Sequence, residues 1–148
     1  MPANTNPIFT STPVITWSDL GSTVFITTVN TGTGTTAYDG TTNVNLVFTG
    51  GANGSFLQKL ILESGGGNAV SVLRVHINNG GSTATADNNT LIMQYNLPLT
   101  TASSTLATAH IEVPINIQIP NGYRVYVSLG AIANLASGWA VTAIGGNY

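Results

Sequence analysis

Ile111, Val113, Ile115, Ile117 and Ile119 alternate strictly with Glu112, Pro114, Asn116, Gln118 and Pro120. A period of two places the first set on one face of a strand and the second on the other, so one face is core and the other meets solvent or a partner. Pro114 brings no ladder donor, which points to an edge strand or a bulge. The next segment repeats the scheme, with Tyr123, Val125, Val127 and Leu129 inward and Arg124, Tyr126 and Ser128 outward. Pro120-Asn121-Gly122 joins the two as a tight turn, because Asn-Gly accepts positive φ at little cost.

Similar β-branched runs recur at Thr23–Val29, Val44–Phe48, Phe56–Glu63, Val70–Ile77, Thr90–Tyr95 and Trp139–Ile144, separated by Gly, Asn, Ser and Thr clusters. No window keeps helical periodicity for ten residues. Ser64 to Asn68 is expected to link the third and fourth runs as a hairpin, and Asp87-Asn88-Asn89 to turn into the fifth. Eight such runs predict an all-β chain: an antiparallel β-sandwich of about eight strands, jelly-roll-like, with a small closed barrel as the second choice. Pro2, Pro7 and Pro13 resist helix and predict an extended N-terminal arm over residues 1–20, followed by a single sandwich domain over 21–148. Asn30 to Asn43 is a long Thr/Gly loop, mobile or docked on a partner.

Composition sharpens this picture. Only 5% of the 148 residues are Asp, Glu, Lys or Arg, against roughly 25% in an ordinary domain. Their place is taken by 22 Thr, 16 Asn and 17 Gly, which hydrogen-bond as neutral groups. With only Lys59, Arg74 and Arg124 as cations and a formal charge of −2, there is almost nothing to neutralise phosphates, which argues against nucleic-acid binding. The absence of cysteine excludes disulfides, thiolate metal sites and a cysteine nucleophile. No stretch approaches the roughly 18 apolar residues that span a bilayer, and the amino terminus lacks a basic and apolar leader. The expectation is a protein with no membrane partner, made in a host cytoplasm, with Met1 and Pro2 as its native start.

Little in the chain requests catalysis or a cofactor. Asp19, Asp39, Glu63, Asp87 and Glu112 each lie in a different segment, whereas a glycosidase needs two facing carboxylates. His76 and His110 are the only imidazoles, too few for an ordinary zinc site, and no Gly-x-Ser-x-Gly elbow occurs. Gly65-Gly66-Gly67 is flanked by strands rather than by a helix and a lysine, so it reads as a turn and not a phosphate cradle. Asp39-Gly40 and Asp87-Asn88-Asn89 offer oxygen ligands to calcium without the acidic density of an EF-hand. Asn53-Gly54-Ser55 and Asn88-Asn89-Thr90 match the glycosylation pattern, as chance does in a chain this rich in Asn and Thr. No catalytic residue, metal or cofactor is therefore expected.

Arg74 and His76 share a strand face opposite Leu73, Val75 and Ile77, which suggests an exposed face or an interface. Trp139 and Tyr123 fall on apolar faces and belong to the core. That leaves Tyr126, Tyr38, Trp17 and Tyr148 as exposed aromatics that could meet a protein or stack on a sugar ring. Together with Pro7, Phe9 and Pro13 of the arm, these residues form the candidate interface set.

The closing stretch, Asn121-Gly122-Tyr123-Arg124-Val125 through Gly138-Trp139-Ala140-Val141-Thr142-Ala143 to Gly145-Gly146-Asn147-Tyr148, resembles the carboxy-terminal ends of small structural proteins of tailed bacteriophage particles. The resemblance covers about the last 30 residues, the rest agreeing in composition only. It implies a β-sandwich component of a virion, such as an auxiliary or decoration protein on the capsid, without enzymatic activity. A neutral surface leads to the same expectation, because subunits can pack without desolvating charges. The expected partners are the major capsid protein and copies of the chain itself, with a trimer favoured, and the expected place is the capsid surface. The alternative is a tail or head-fibre domain, or a carbohydrate-binding module that uses the exposed aromatics and takes a glycan.

Overall fold

Alternating apolar positions become strands here because each pleated surface can bury one face against a second sheet. The computed structural model describes residues 12–17, 25–26, 30, 38–130 and 137–148. Its strands are β1 (Thr12–Trp17), β2 (Asn45–Thr49), β3 (Ser55–Ser64), β4 (Ser71–Asn78), β5 (Asn89–Leu97), β6 (His110–Ile119), β7 (Arg124–Gly130) and β8 (Trp139–Asn147). They form two four-stranded sheets, ordered β1-β8-β3-β6 and β2-β7-β4-β5, with every neighbouring pair antiparallel. This double-sheet winding is that of an eight-stranded jelly roll. Two separate sheets replace the closed barrel that was the second choice.

The core fills the space between the sheets. Leu57, Leu60, Leu62, Val141, Ala143 and Trp139 of the first sheet meet Phe48, Leu73, Val75, Val125, Val127 and Leu129 of the second, all fully buried. Leu57 and Leu60 differ in parity, yet both face inward, because the pairing slips between Leu57 and Lys59. Against β8 the extra residue is Gln58, and without it one of the two leucines would face outward. Across β6 the same place shows Asn116 in the left-handed region, at φ 53°. The expectation for Pro114 is met on both counts, since β6 is an edge strand and carries this irregularity.

The first strand lies elsewhere than expected. Thr12–Trp17, assigned from its prolines to the arm, is the edge strand β1, paired among the described residues only with β8. Its alternation is short, and Pro13 is compatible with an edge position, where a missing donor costs little. Of the Thr23–Val29 run, Ile26 is buried and forms a single bridge to Trp139; residues 23–24 and 27–29 lie outside the described residues.

Two expected hairpins are also corrected. β3 and β4 lie in different sheets, as do β6 and β7, so Ser64–Asn68 and Pro120–Gly122 are links that carry the chain across the sandwich. The tight turn itself is present, with Tyr123 N donating to Pro120 O at 3.1 Å and Gly122 at φ 76°. A turn reverses direction, but it does not decide whether the next strand pairs with the last or crosses to the opposite sheet. Sequential strands form a true hairpin at β4–β5, closed through a short 3-10 turn at Ala86–Asn88.

Asn68 fixes the β3–β4 link. Its buried amide donates to Ser64 Oγ at 3.0 Å and Gly138 O at 2.9 Å, and accepts from Gly138 N at 2.8 Å and Ser137 N at 3.1 Å. Its backbone bridges to Thr100. One side chain thus satisfies backbone groups from a segment far away in sequence, groups that would otherwise be buried unpaired.

Candidate functional site

The outer face of the first sheet is the most distinctive surface. Thr16 sends its hydroxyl inward to Val47 O of the opposite sheet, so Pro13, Ile15 and Trp17 point outward. Their register partners on β8 are Gly146, Ile144 and Thr142, and next on β3 come Phe56, Lys59 and Ile61. Ile15 is 61% exposed and Trp17 47%. Half of this face is thus an apolar strip that the described residues of the chain leave uncovered.

The other half carries ions. Pairing sets Glu63 opposite His110 and Ile61 opposite Glu112. Lys59 Nζ donates to Glu112 Oε1 at 2.7 Å, His110 Nδ1 hydrogen-bonds to Glu63 Oε1, and His110 Nε2 lies 3.9 Å from Glu112 Oε1. The hydrogen bond to Glu63 raises the His110 pKa above its ordinary value, and the hydrogen bond from Lys59 lowers that of Glu112. Four of the chain's ten acidic, basic and imidazole side chains therefore meet in one row and answer one another's charge. Folding brings Glu63 and Glu112 together although their sequence positions gave no sign of it. They flank an imidazole on an open sheet face, where water screens every member.

Arg74 and His76 do share a face, but it is a covered one. They are 7% and 1% exposed, on the outer side of the second sheet beneath the segment 38–43. The Arg74 guanidinium lies 4.8 Å from the Tyr38 ring centroid and donates to Asn30 O at 3.4 Å. His76 Nε2 is 3.4 Å from Ser128 Oγ. Asn30 Nδ2 donates to Thr42 O at 3.2 Å, and Asp39 Oδ1 accepts from Thr41 N and Oγ1 at 2.9 and 2.7 Å. Among the described residues, Arg74 Nε and His76 Nδ1 find no hydrogen-bond partner. Burial, and then the Arg74 charge, push the His76 pKa down to about 4, against the pull of Asp39. The pair expected at an exposed face or an interface is instead an internal polar layer, and the described part of the Asn30–Asn43 loop docks on the chain's own sheet.

The candidate interface set is thus dispersed. Pro13 and Trp17 stand on the first face, while Tyr38 covers Arg74 and Tyr126 is the register partner of His76. Tyr148 lies apart, in an open cleft beside the 52–55 turn and the end of β6. Pro7 and Phe9 lie outside the described residues. Sequence reasoning missed Ile15, Ile61 and the Lys59, Glu63, His110 and Glu112 row, which only the cross-strand register assembles. Trp139 is fully buried, as expected of a core residue. Among the described residues, no group of three acidic or imidazole side chains has a geometry that could hold a metal ion, and no helix is long and apolar enough to cross a membrane.

No protein-family model matches the chain, and no curated protein matches it by sequence. Among solved structures, it is similar to a chain of the T13 IBDV viral particle, at 11% sequence identity and a TM-score of 0.35. That similarity covers 99% of this chain and 36% of the other, so the chain spans about a third of its length.

Proposed function

We propose that the chain is a non-enzymatic structural component of a virus particle: a capsid decoration or cement protein that binds the head through the outer face of the β1-β8-β3-β6 sheet. The observation that carries this reading is the strip of Pro13, Ile15, Trp17 and Ile144, which the described residues leave uncovered, beside a row in which Lys59 pairs with Glu112 and His110 with Glu63. Burying the strip against another protein removes apolar surface from water, at roughly 25 cal/mol per Å2. Each member of the row already has a partner within the chain, which offsets part of the desolvation cost of burying it. The charge-poor composition extends this economy to the rest of the surface. The jelly-roll winding, common in capsid domains, and the resemblance of the last strands to tailed-phage structural proteins support the same reading. The partners are then the major capsid protein and further copies of the chain, with a trimer as the expected oligomer.

Mass spectrometry of gradient-purified particles tests the reading through the copy number relative to the major capsid protein. A comparable number supports a lattice component, a handful supports a tail or fibre location, and absence overturns the proposal. Ile15→Asp and Trp17→Asp, made in the isolated chain, are expected to abolish rebinding to particles stripped of it while leaving the thermal transition in place. Undiminished rebinding would remove this face from the mechanism.

A further inference from the structure

We infer that the open cleft between the 52–55 turn and the end of β6 is a binding site for a neutral oligosaccharide. The cleft has a volume of about 410 Å3, within the roughly 300–1,000 Å3 of small-ligand sites. Its side chains form a distinct chemical set: the Tyr148 ring, the amides of Asn53, Gln118 and Asn121, and the apolar Pro120. The lining holds no charged side chain. Asn53, Gln118 and Asn121 are exposed, and each amide supplies both donors and an acceptor. A ligand matched to that set carries many neutral hydroxyls together with a weakly polar C–H face that can lie on an aromatic ring, whose π-face is negative. A pyranose has both. A phosphate or nucleotide would need a cation that this lining lacks.

The walls are held before any ligand arrives. Tyr148 N donates to Gly54 O at 3.2 Å, and Gly54 N to Gly51 O at 2.9 Å. Gly50 N donates to Tyr123 O at 2.8 Å, which ties the 50–54 turn to the turn after β6. Gly54 has φ 86°, and a Cβ placed there would lie 3.7 Å from Tyr148 Cδ2, so the ring rests on bare backbone. Fixed walls lower the ordering cost of binding. Gln118 lies in the same cross-strand row as Phe56, Gly146 and Pro13, so the cleft borders the end of that sheet face, but the inference does not rest on the particle-binding reading.

The test is an NMR titration of the full chain with maltohexaose, cellohexaose and chitotetraose. Saturable shifts centred on Tyr148, Gln118 and Asn121 are expected with at least one of them. Affinity should fall about tenfold in Tyr148→Ala, where the stacking surface is lost, and hold in Tyr148→Phe, where it is kept. If Tyr148→Ala fails to fold, the double variant Gln118→Ala/Asn121→Ala on the exposed rim takes its place with the same expected loss. The inference is overturned if none of the three sugars gives saturable shifts at these residues, or if binding is indifferent to the substitutions.

Discussion

Gly40 lies directly against His76: a Cβ placed on Gly40 would stand 3.0 Å from His76 Nδ1 and 3.2 Å from its Cγ. The backbone of the covering segment thereby seals an imidazole that a side chain at that position would displace. Gly40 also has φ 70°, a conformation that side-chain-bearing residues adopt at a cost. Gly40→Ala is therefore expected to destabilise the fold by about 2–3 kcal/mol, a fall of roughly 5–10 °C in the thermal midpoint. Differential scanning calorimetry of the two proteins checks it.

The same seal makes stability depend on pH. His76 titrates at about 4 when folded and near 6.5 when unfolded, so between those values the unfolded chain binds more protons. Stability from the neutral, buried imidazole is complete above pH 6.5 and is lost as pH falls toward 4. At about 1.4 kcal/mol per pH unit, discounted for screening, the loss is on the order of 2 kcal/mol. Urea unfolding across this window should show the decline, and His76→Gln should flatten it. An unchanged slope in the variant would assign the decline to other groups.

His110 behaves in the opposite sense. Its raised pKa means that the stabilisation from its contacts with Glu63 and Glu112 is fully present below pH 6.5 and disappears as pH rises through the folded value. Exposure keeps the effect on stability small. The direct reading is an NMR titration, in which the His110 midpoint lies above 6.5 and moves down in Glu63→Gln. Glu112→Gln should move it less, because the Glu63 hydrogen bond is the larger cause.

Asn68→Ala removes an amide that serves Ser64, Ser137 and Gly138 at once. Leaving those buried groups unpaired should cost about 2–4 kcal/mol. Asn68→Asp, which keeps the acceptor and loses the donors, should stay destabilised. Chemical denaturation of both variants measures the difference.

The sequence made most of the strands legible, because β3, β4, β6, β7 and β8 each turn apolar side chains to the space between the sheets and so tend to alternate. β1 escaped because Pro13 and the neighbouring prolines look like a chain that avoids pairing, whereas at a sheet edge only one side of the strand is asked to pair. The links at Ser64–Asn68 and Pro120–Gly122 were read as hairpins because turn chemistry is local and the choice of sheet is not. For the candidate site, the shared face of Arg74 and His76 was visible, but its cover of Tyr38 to Asn43 was not, since nothing in a Thr/Gly segment reveals where it docks. The row of Lys59, Glu63, His110 and Glu112 joins β3 to β6, and no spacing within either strand hints at it.

β8 lies between β1 and β3, and among the described residues β1 has no other strand to pair with. On a ribosome adding roughly 5–20 residues per second, β1 emerges before the other described strands and must wait for all of them before its partner exists. The first sheet is therefore completed only once β8 has been synthesised, and a nascent chain halted before Trp139 would carry an unpaired β1 and an open edge on β3. Such edges template pairing between chains. The synthesis of β8 thus closes the first sheet and also ends the period in which these edges are exposed to aggregation.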